Sequence, residues 1–233
     1  MFKGPLSTPA DRRRAWHDSL FADHAIFRLS WTNLACVVPG KVWRSNHPTP
    51  GRLSRQVPQL GLKTIINLRG KRDCGSDALA RERAQALHLP CIDMAFESRN
   101  APHKDRVLRF CELYRRLEAE KGFPLLMHCK SGADRAGLAS GLVLLLEGGT
   151  VQQALAQLHW RHLHFHRSRT GVLDAFFLRY WEHLAGSTTP ADSRLQFLDW
   201  VREEYDEEKL RAEWKQGSLR RQLPALLRQL HQA

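Results

Sequence analysis

Acidic side chains, long apolar runs and paired cysteines are what this 233-residue chain has least of. Its 24 Asp and Glu face 36 Lys and Arg, a formal net charge of +12. Its longest apolar run, Leu142–Leu146 within Gly137–Leu146, is far shorter than a bilayer span. The opening stretch MFKGPLSTPADRRRAW has no apolar core of a secretory signal, so the cytoplasm is the expected location. The five cysteines, Cys36, Cys74, Cys91, Cys111 and Cys129, include no CxxC pair. That spacing argues against a zinc knuckle, and an odd, scattered set argues for thiols rather than a disulfide framework. No internal repeat or low-complexity tract stands out.

The positive charge speaks of partners rather than fold. A polyphosphorylated substrate, an anionic membrane face and nucleic acid all fit it, as does a solvated basic surface. No RNA- or DNA-binding motif accompanies the charge, which argues against nucleic acid.

The pattern along the chain alternates strands and helices. Residues 1–35 read as a polar lead-in with helical character around Arg13–Phe27. Cys36–Arg44 reads as two strands joined by Pro39-Gly40, and Leu53–Leu60 as a helix ended by Gly61. Leu62–Leu68 and Pro90–Ala95 read as strands around a helix at Asp77–Leu87. Lys104–Ala119 has helical periodicity, Leu125–His128 is a short strand, and helices follow at Arg135–Leu146, Val151–His159 and Gly171–Leu184. This order predicts an α/β domain around a central, largely parallel sheet. After a loop-like break at Gly186–Pro190, residues 186–233 read as a helical basic extension, with Asp206 an N-cap. The Trp200 half is expected to pack; the final stretch could pack or form a basic arm.

The chemistry concentrates in Pro124–Gly137, PLLMHCKSGADRAG. Cys129 and Arg135 are spaced C-x5-R, a weak signal alone. Here an apolar strand ends at His128, a loop with Gly132 follows, and an apolar helix begins near Asp134. Such a turn aims backbone N–H groups and a helix dipole at one point, where they bind a tetrahedral oxyanion and favour a thiolate. Arg135 can hold two phosphoryl oxygens and stabilise the charge in transit.

These residues resemble the signature of the protein tyrosine phosphatase superfamily, and more closely its compact dual-specificity branch, bacterial members included. His128, Cys129, Gly132 and Arg135 match it, and VWRSNHP, LKTIINLRG and TGVLDAFF look similar to the same branch. The likeness covers roughly residues 36–184, so residues 36–185 are read as the phosphatase domain. It implies a central, largely parallel sheet of four to five strands wrapped by helices, and hydrolysis of phosphoprotein or phosphoinositide esters through a phosphocysteine at Cys129, with no metal and no cofactor. It assigns Lys130, Ser131, Gly132 and Ala133 to the phosphate cradle, and to His128 a part in tuning the thiol.

Two positions bear on the chemistry. Ala136 stands where the family usually has Ser or Thr, which implies slower hydrolysis of the intermediate or a substitute in Ser131. The general acid has several candidates. Glu97, in the Phe96–Pro102 loop, has the family's spacing; Asp93 falls in a strand and Asp105 at a helix start. Asp134 is the other candidate, as in phosphoinositide-directed branches of the superfamily, or it only N-caps the helix. Lys130 resembles a lysine those branches use for a polyanionic head group; otherwise it faces solvent. A phosphate-binding module without useful turnover is the competing function.

Arg69, at a strand end, is a candidate for the substrate rim, as are Arg167 and Arg169. His159, His162, His164 and His166 match no metal-site spacing and read as a basic surface loop. The tryptophans Trp160 and Trp200 read as core.

Overall fold

Five short strands make one sheet in the order β1-β2-β5-β3-β4. The structure, a computed structural model, describes residues 1–186 and 193–232. Strands β1 (Ala35–Val38) and β2 (Val42–Ser45) pair antiparallel across the Pro39-Gly40 turn. Strands β3 (Thr64–Asn67), β4 (Cys91–Asp93) and β5 (Leu125–His128) run parallel, with β5 between β2 and β3. Every residue of β3 and β5 is buried, so neither strand shows the polar alternation of a half-exposed one. Ser45, His128 and Asn67 lie in register, so three strands deliver their following loops at one end of the sheet.

By packing, the chain forms two units: Met1–Ala95 with Leu117–Gly132, and Phe96–Arg116 with Ala133–Ala233. The first holds the sheet with helices α1 (Pro9–His17), α2 (Pro50–Leu60) and α3 (Gly75–Ala86). Leu53, Leu62, Ile65, Ala80, Ala84, Leu89 and Leu126 form its core cluster. The opening segment is more than a polar lead-in. The Gly75 N–H donates to Asp18 Oδ2 at 2.7 Å, and the buried Ser19 and Ser76 hydroxyls meet at 2.8 Å. A Cβ on Gly75 would sit 1.9 Å from the Ala15 carbonyl oxygen, so only glycine lets α1 approach so closely.

Helix α4 (Lys104–Ala119) runs from the second unit into the first. The second unit is otherwise helical: α5 (Asp134–Leu146), α6 (Val151–Ala156), α7 (Val172–Gly186), α8 (Ser193–Asp199), α9 (Glu207–Gln216) and α10 (Ser218–Gln232). Helix α6 stops short of His159 because the His159 side chain accepts the Arg161 N–H and caps a 3-10 turn. Phe176, Tyr180, Phe197, Trp200 and Tyr205 form an aromatic core, with Phe176 and Tyr205 edge to face at 4.9 Å. Trp200 is core as expected, whereas Trp160 is 61% exposed. Helix α10 buries Leu219, Leu223 and Leu230 and packs on α7 and α9, so the basic tail is a docked helix rather than a free arm. Of the break expected at Gly186–Pro190, residues 187–190 lie outside the described residues. Among those described, no helix is long and apolar enough to cross a membrane.

Candidate active site

Strand β5 hands its C-terminal end directly to Cys129, which is 1% exposed. The Gly132 N–H donates to Cys129 Sγ at 3.2 Å. The carbonyls of this loop are drawn the other way. That of Lys130 accepts from the His47 N–H at 3.3 Å and from Arg28 at 3.4 Å. Ser131 O accepts from Asn33 Nδ2 at 3.1 Å, and Gly132 O from the fully buried Arg44 at 2.6 Å. Three successive carbonyls tied to the scaffold give the backbone orientation that an inward row of N–H groups requires. Gly132 holds φ +73°, and a Cβ there would lie 2.7 Å from the Asn46 nitrogen and the Ser45 carbonyl carbon.

Asp23 organises the charges behind this loop. Its carboxylate takes both Arg69 nitrogens at 2.8 and 3.0 Å and Arg28 at 2.7 Å, with Lys130 Nζ at 3.4 Å. Burial alone would raise its pKa; the two guanidinium groups override that and hold it well below the usual carboxylate range. Arg69 is therefore a buried brace on Asp23, not a rim residue reaching outward. Lys130 leans on the same carboxylate while staying partly exposed. His128 is buried against His47, ring centroids 4.7 Å apart and edge to face. Burial, then the charge of Arg69, pushes its pKa down to about 3, so it is a neutral imidazole at neutral pH.

Helix α5 starts at Asp134, with Ala133 as its N-cap and no side-chain cap. Asp134 thus does not cap the helix. Its Oδ1 accepts from His164 Nδ1 at 2.8 Å, while His164 Nε2 donates to Asp174 Oδ2 at 2.7 Å. His164 is 1% exposed and belongs to the interior, contrary to the surface loop expected of the histidine cluster. Burial works against its charge, but its hydrogen bonds to the two carboxylates prevail and raise its pKa to about 9. A protonated His164 can donate to both aspartates at once. Ala136, in the first turn of α5, is fully buried.

Arg135 Nε is buried and has no hydrogen-bond partner among the described residues. Its side chain lines an open groove of about 750 Å³, shared with Glu97, Arg99 and, from α9, Arg211 and Lys215. Glu97 Oε1 accepts from Arg106, and Glu97 Oε2 is buried without a partner among the described residues. The loop carrying Glu97 is stapled to the C-terminal helices. Tyr205 OH donates to the Pro102 carbonyl at 2.6 Å, Glu207 accepts from His103 Nδ1 at 2.8 Å and from the Lys104 N–H, and Arg211 Nε donates to Asn100 at 2.9 Å. Asp93 ends β4 with its carboxylate on Arg81 at 2.5 Å and Asn67 at 3.1 Å, and Asp105 lies in the first turn of α4.

Residues 41–167, more than half of the chain, match the family described as a DSP-PTPase phosphatase fused to NAD+ kinase. The chain belongs to that family. It thus carries a dual-specificity-type phosphatase domain, and its mostly parallel sheet flanked by helices is the fold of such phosphatases. A cysteine-to-serine variant of P. aeruginosa TpbA, solved in complex with pTyr, aligns at 18% identity and a TM-score of 0.52, covering 75% of this chain and 98% of that one. A putative phosphatase from Shewanella putrefaciens CN-32 aligns at 20% identity and TM-score 0.50, over 68% and 95%. The catalytic core of the S. cerevisiae PP-IP phosphatase SIW14 aligns at 16% and 0.45, over 79% and 92%. No curated protein sequence matches.

Within this phosphatase domain the residues read from the motif fall into a short stretch, Cys129–Gly132 followed by Ala133–Arg135. Sequence reasoning missed Asp23, Asn33 and Arg44, which tie the loop or its lysine from 88 or more residues away along the chain. It also missed His164. The signal for His164 was slight: a histidine in a basic stretch, ten residues before an aspartate on the next helix.

Proposed function

We propose that the protein hydrolyses phosphomonoesters through a phosphocysteine at Cys129, with residues 36–185 carrying the chemistry. The phosphoryl group binds in the 129–135 loop, where amide N–H groups and the Arg135 fork take its oxygens. Cys129 attacks phosphorus as the thiolate while the ester oxygen leaves with a proton from Glu97. Water then attacks the phosphocysteine, gives its proton to the Glu97 carboxylate, and releases inorganic phosphate and the thiolate. Asp134, tied to His164, orients the loop at the head of α5. Phosphoprotein and phosphoinositide esters both suit this chemistry.

The observation that carries the reading is the outward tethering of the Lys130, Ser131 and Gly132 carbonyls, with the Gly132 N–H on Cys129 Sγ. Glu97 is favoured as the acid because it shares a groove with Arg135 and has an unpartnered carboxylate oxygen. Turnover of p-nitrophenyl phosphate should fall by about a thousandfold or more in Cys129→Ser; equal turnover would remove Cys129 as nucleophile. On an ester with a poorer leaving group, Glu97→Gln should lower kcat by about a hundredfold, more than Asp134→Asn. The reverse order would move the acid to Asp134.

Ala136 supports a second reading, a phosphate-binding module with little turnover, since no hydroxyl at that position assists departure of the thiolate. A burst of product without steady turnover would favour it.

A further inference from the structure

Helix α9 lies outside the stretch that matches the family, yet it contributes two cations to the groove that holds Arg135. Arg99, Arg135, Arg211 and Lys215 all line it, with Glu97 the only carboxylate among the lining side chains. The charge of Glu97 is already matched by Arg106. Among the described residues Arg99, Arg135 and Lys215 have no carboxylate partner. Arg211 shares the largely exposed Glu208, while its Nε is fixed on Asn100. Like charges gathered without counterions repel one another, so the groove holds an electrostatic demand that one phosphoryl group on Arg135 does not meet.

We propose that Arg99, Arg211 and Lys215 form a second anion subsite, so that the preferred substrate is a small molecule bearing a further phosphate beside the one that is hydrolysed. This rests on the phosphatase reading for the bond that is broken, and on the groove alone for the subsite. The groove, about 750 Å³ and open to solvent, has room for a small substrate that carries two phosphates. Phe96, the one aromatic side chain in the lining, is only 4% exposed, so the groove offers no aromatic face on which a phosphotyrosine ring could stack. The shared chemistry is a polyol carrying neighbouring phosphates, whether free or as a lipid head group.

The test compares kcat/KM for inositol monophosphate, inositol bisphosphate, phosphatidylinositol bisphosphate in phosphatidylcholine vesicles, and a phosphotyrosine peptide. Wild type should favour a bisphosphate over the monophosphate by tenfold or more; whether the soluble or the vesicle form is turned over faster identifies the source. Arg99→Ala combined with Lys215→Ala should cut that ratio by about tenfold through KM, and Lys215→Arg should retain it. A ratio near one in wild type, an unchanged ratio in the double variant, or a preference for the peptide would overturn the proposal. If no ester is turned over, the phosphatase reading fails separately. The subsite is then read by calorimetry of inositol bisphosphate on Cys129→Ser, where Arg99→Ala with Lys215→Ala must weaken binding about tenfold, and equal affinity would refute it.

Discussion

At the scale of single residues, the phosphate loop depends on a few positions with no latitude. Gly132 combines a left-handed backbone with a contact that a Cβ would violate against main chain, not against a side chain able to move. Its carbonyl is also the acceptor for buried Arg44. Gly132→Ala should therefore cost about 1–3 kcal/mol of stability and most of the turnover, both measurable by denaturant unfolding and a phosphate-release assay. His164 is a different kind of single position. Its two nitrogens join Asp134 on α5 to Asp174 on α7, so one side chain fixes the first turn of the helix that carries Arg135.

At the scale of elements, the C-terminal helices do more than extend the chain. Tyr205, Glu207 and Arg211 bond to Pro102, to His103 with Lys104, and to Asn100. Three of the four donors and acceptors they serve belong to the segment that holds Glu97. Removing the buried Tyr205 hydroxyl in Tyr205→Phe leaves the aromatic packing and breaks one staple, at a cost of about 1 kcal/mol. Amide exchange across residues 97–103 should quicken in this variant while exchange in α7 stays unchanged. Much of the element plan was legible in the sequence because its causes are local. The expected α4 and β5 bounds coincide with those observed, and Asp206 caps α9 by accepting the Lys209 N–H. What was illegible arises from distant pairs. Arg69 read as a rim candidate because Asp23 lies 46 residues away, and His164 read as part of a surface loop because its partner Asp134 lies 30 residues back. A strand end or a basic stretch does not reveal which carboxylate will meet it.

At the scale of the whole molecule, two buried histidines set opposite pH limits. The unfolded chain takes up a proton at His128 near pH 6.5, whereas the folded chain refuses it until about pH 3. Stability from this site is complete above pH 6.5 and falls as the solution is acidified; His47, also pushed down by burial, acts in the same direction. The folded chain keeps the His164 proton to about pH 9, so its contribution is complete below pH 6.5 and is lost as pH rises through 9. At about 1.4 kcal/mol for each unit of separation, these sites together place the stability maximum near pH 6.5. Melting temperatures measured from about pH 4 to pH 10 should peak there, and His164→Gln should flatten the alkaline side alone. The groove has a wider bearing. The residues that define the family end at position 167, while Arg211 and Lys215 come after it. Part of the ligand choice is thus written outside the stretch that marks ancestry, since Arg99 lies within it and Arg211 and Lys215 beyond it. A descendant could keep every letter of the phosphatase signature and change its diet by revising one surface helix, so two relatives alike over the signature need not share a substrate.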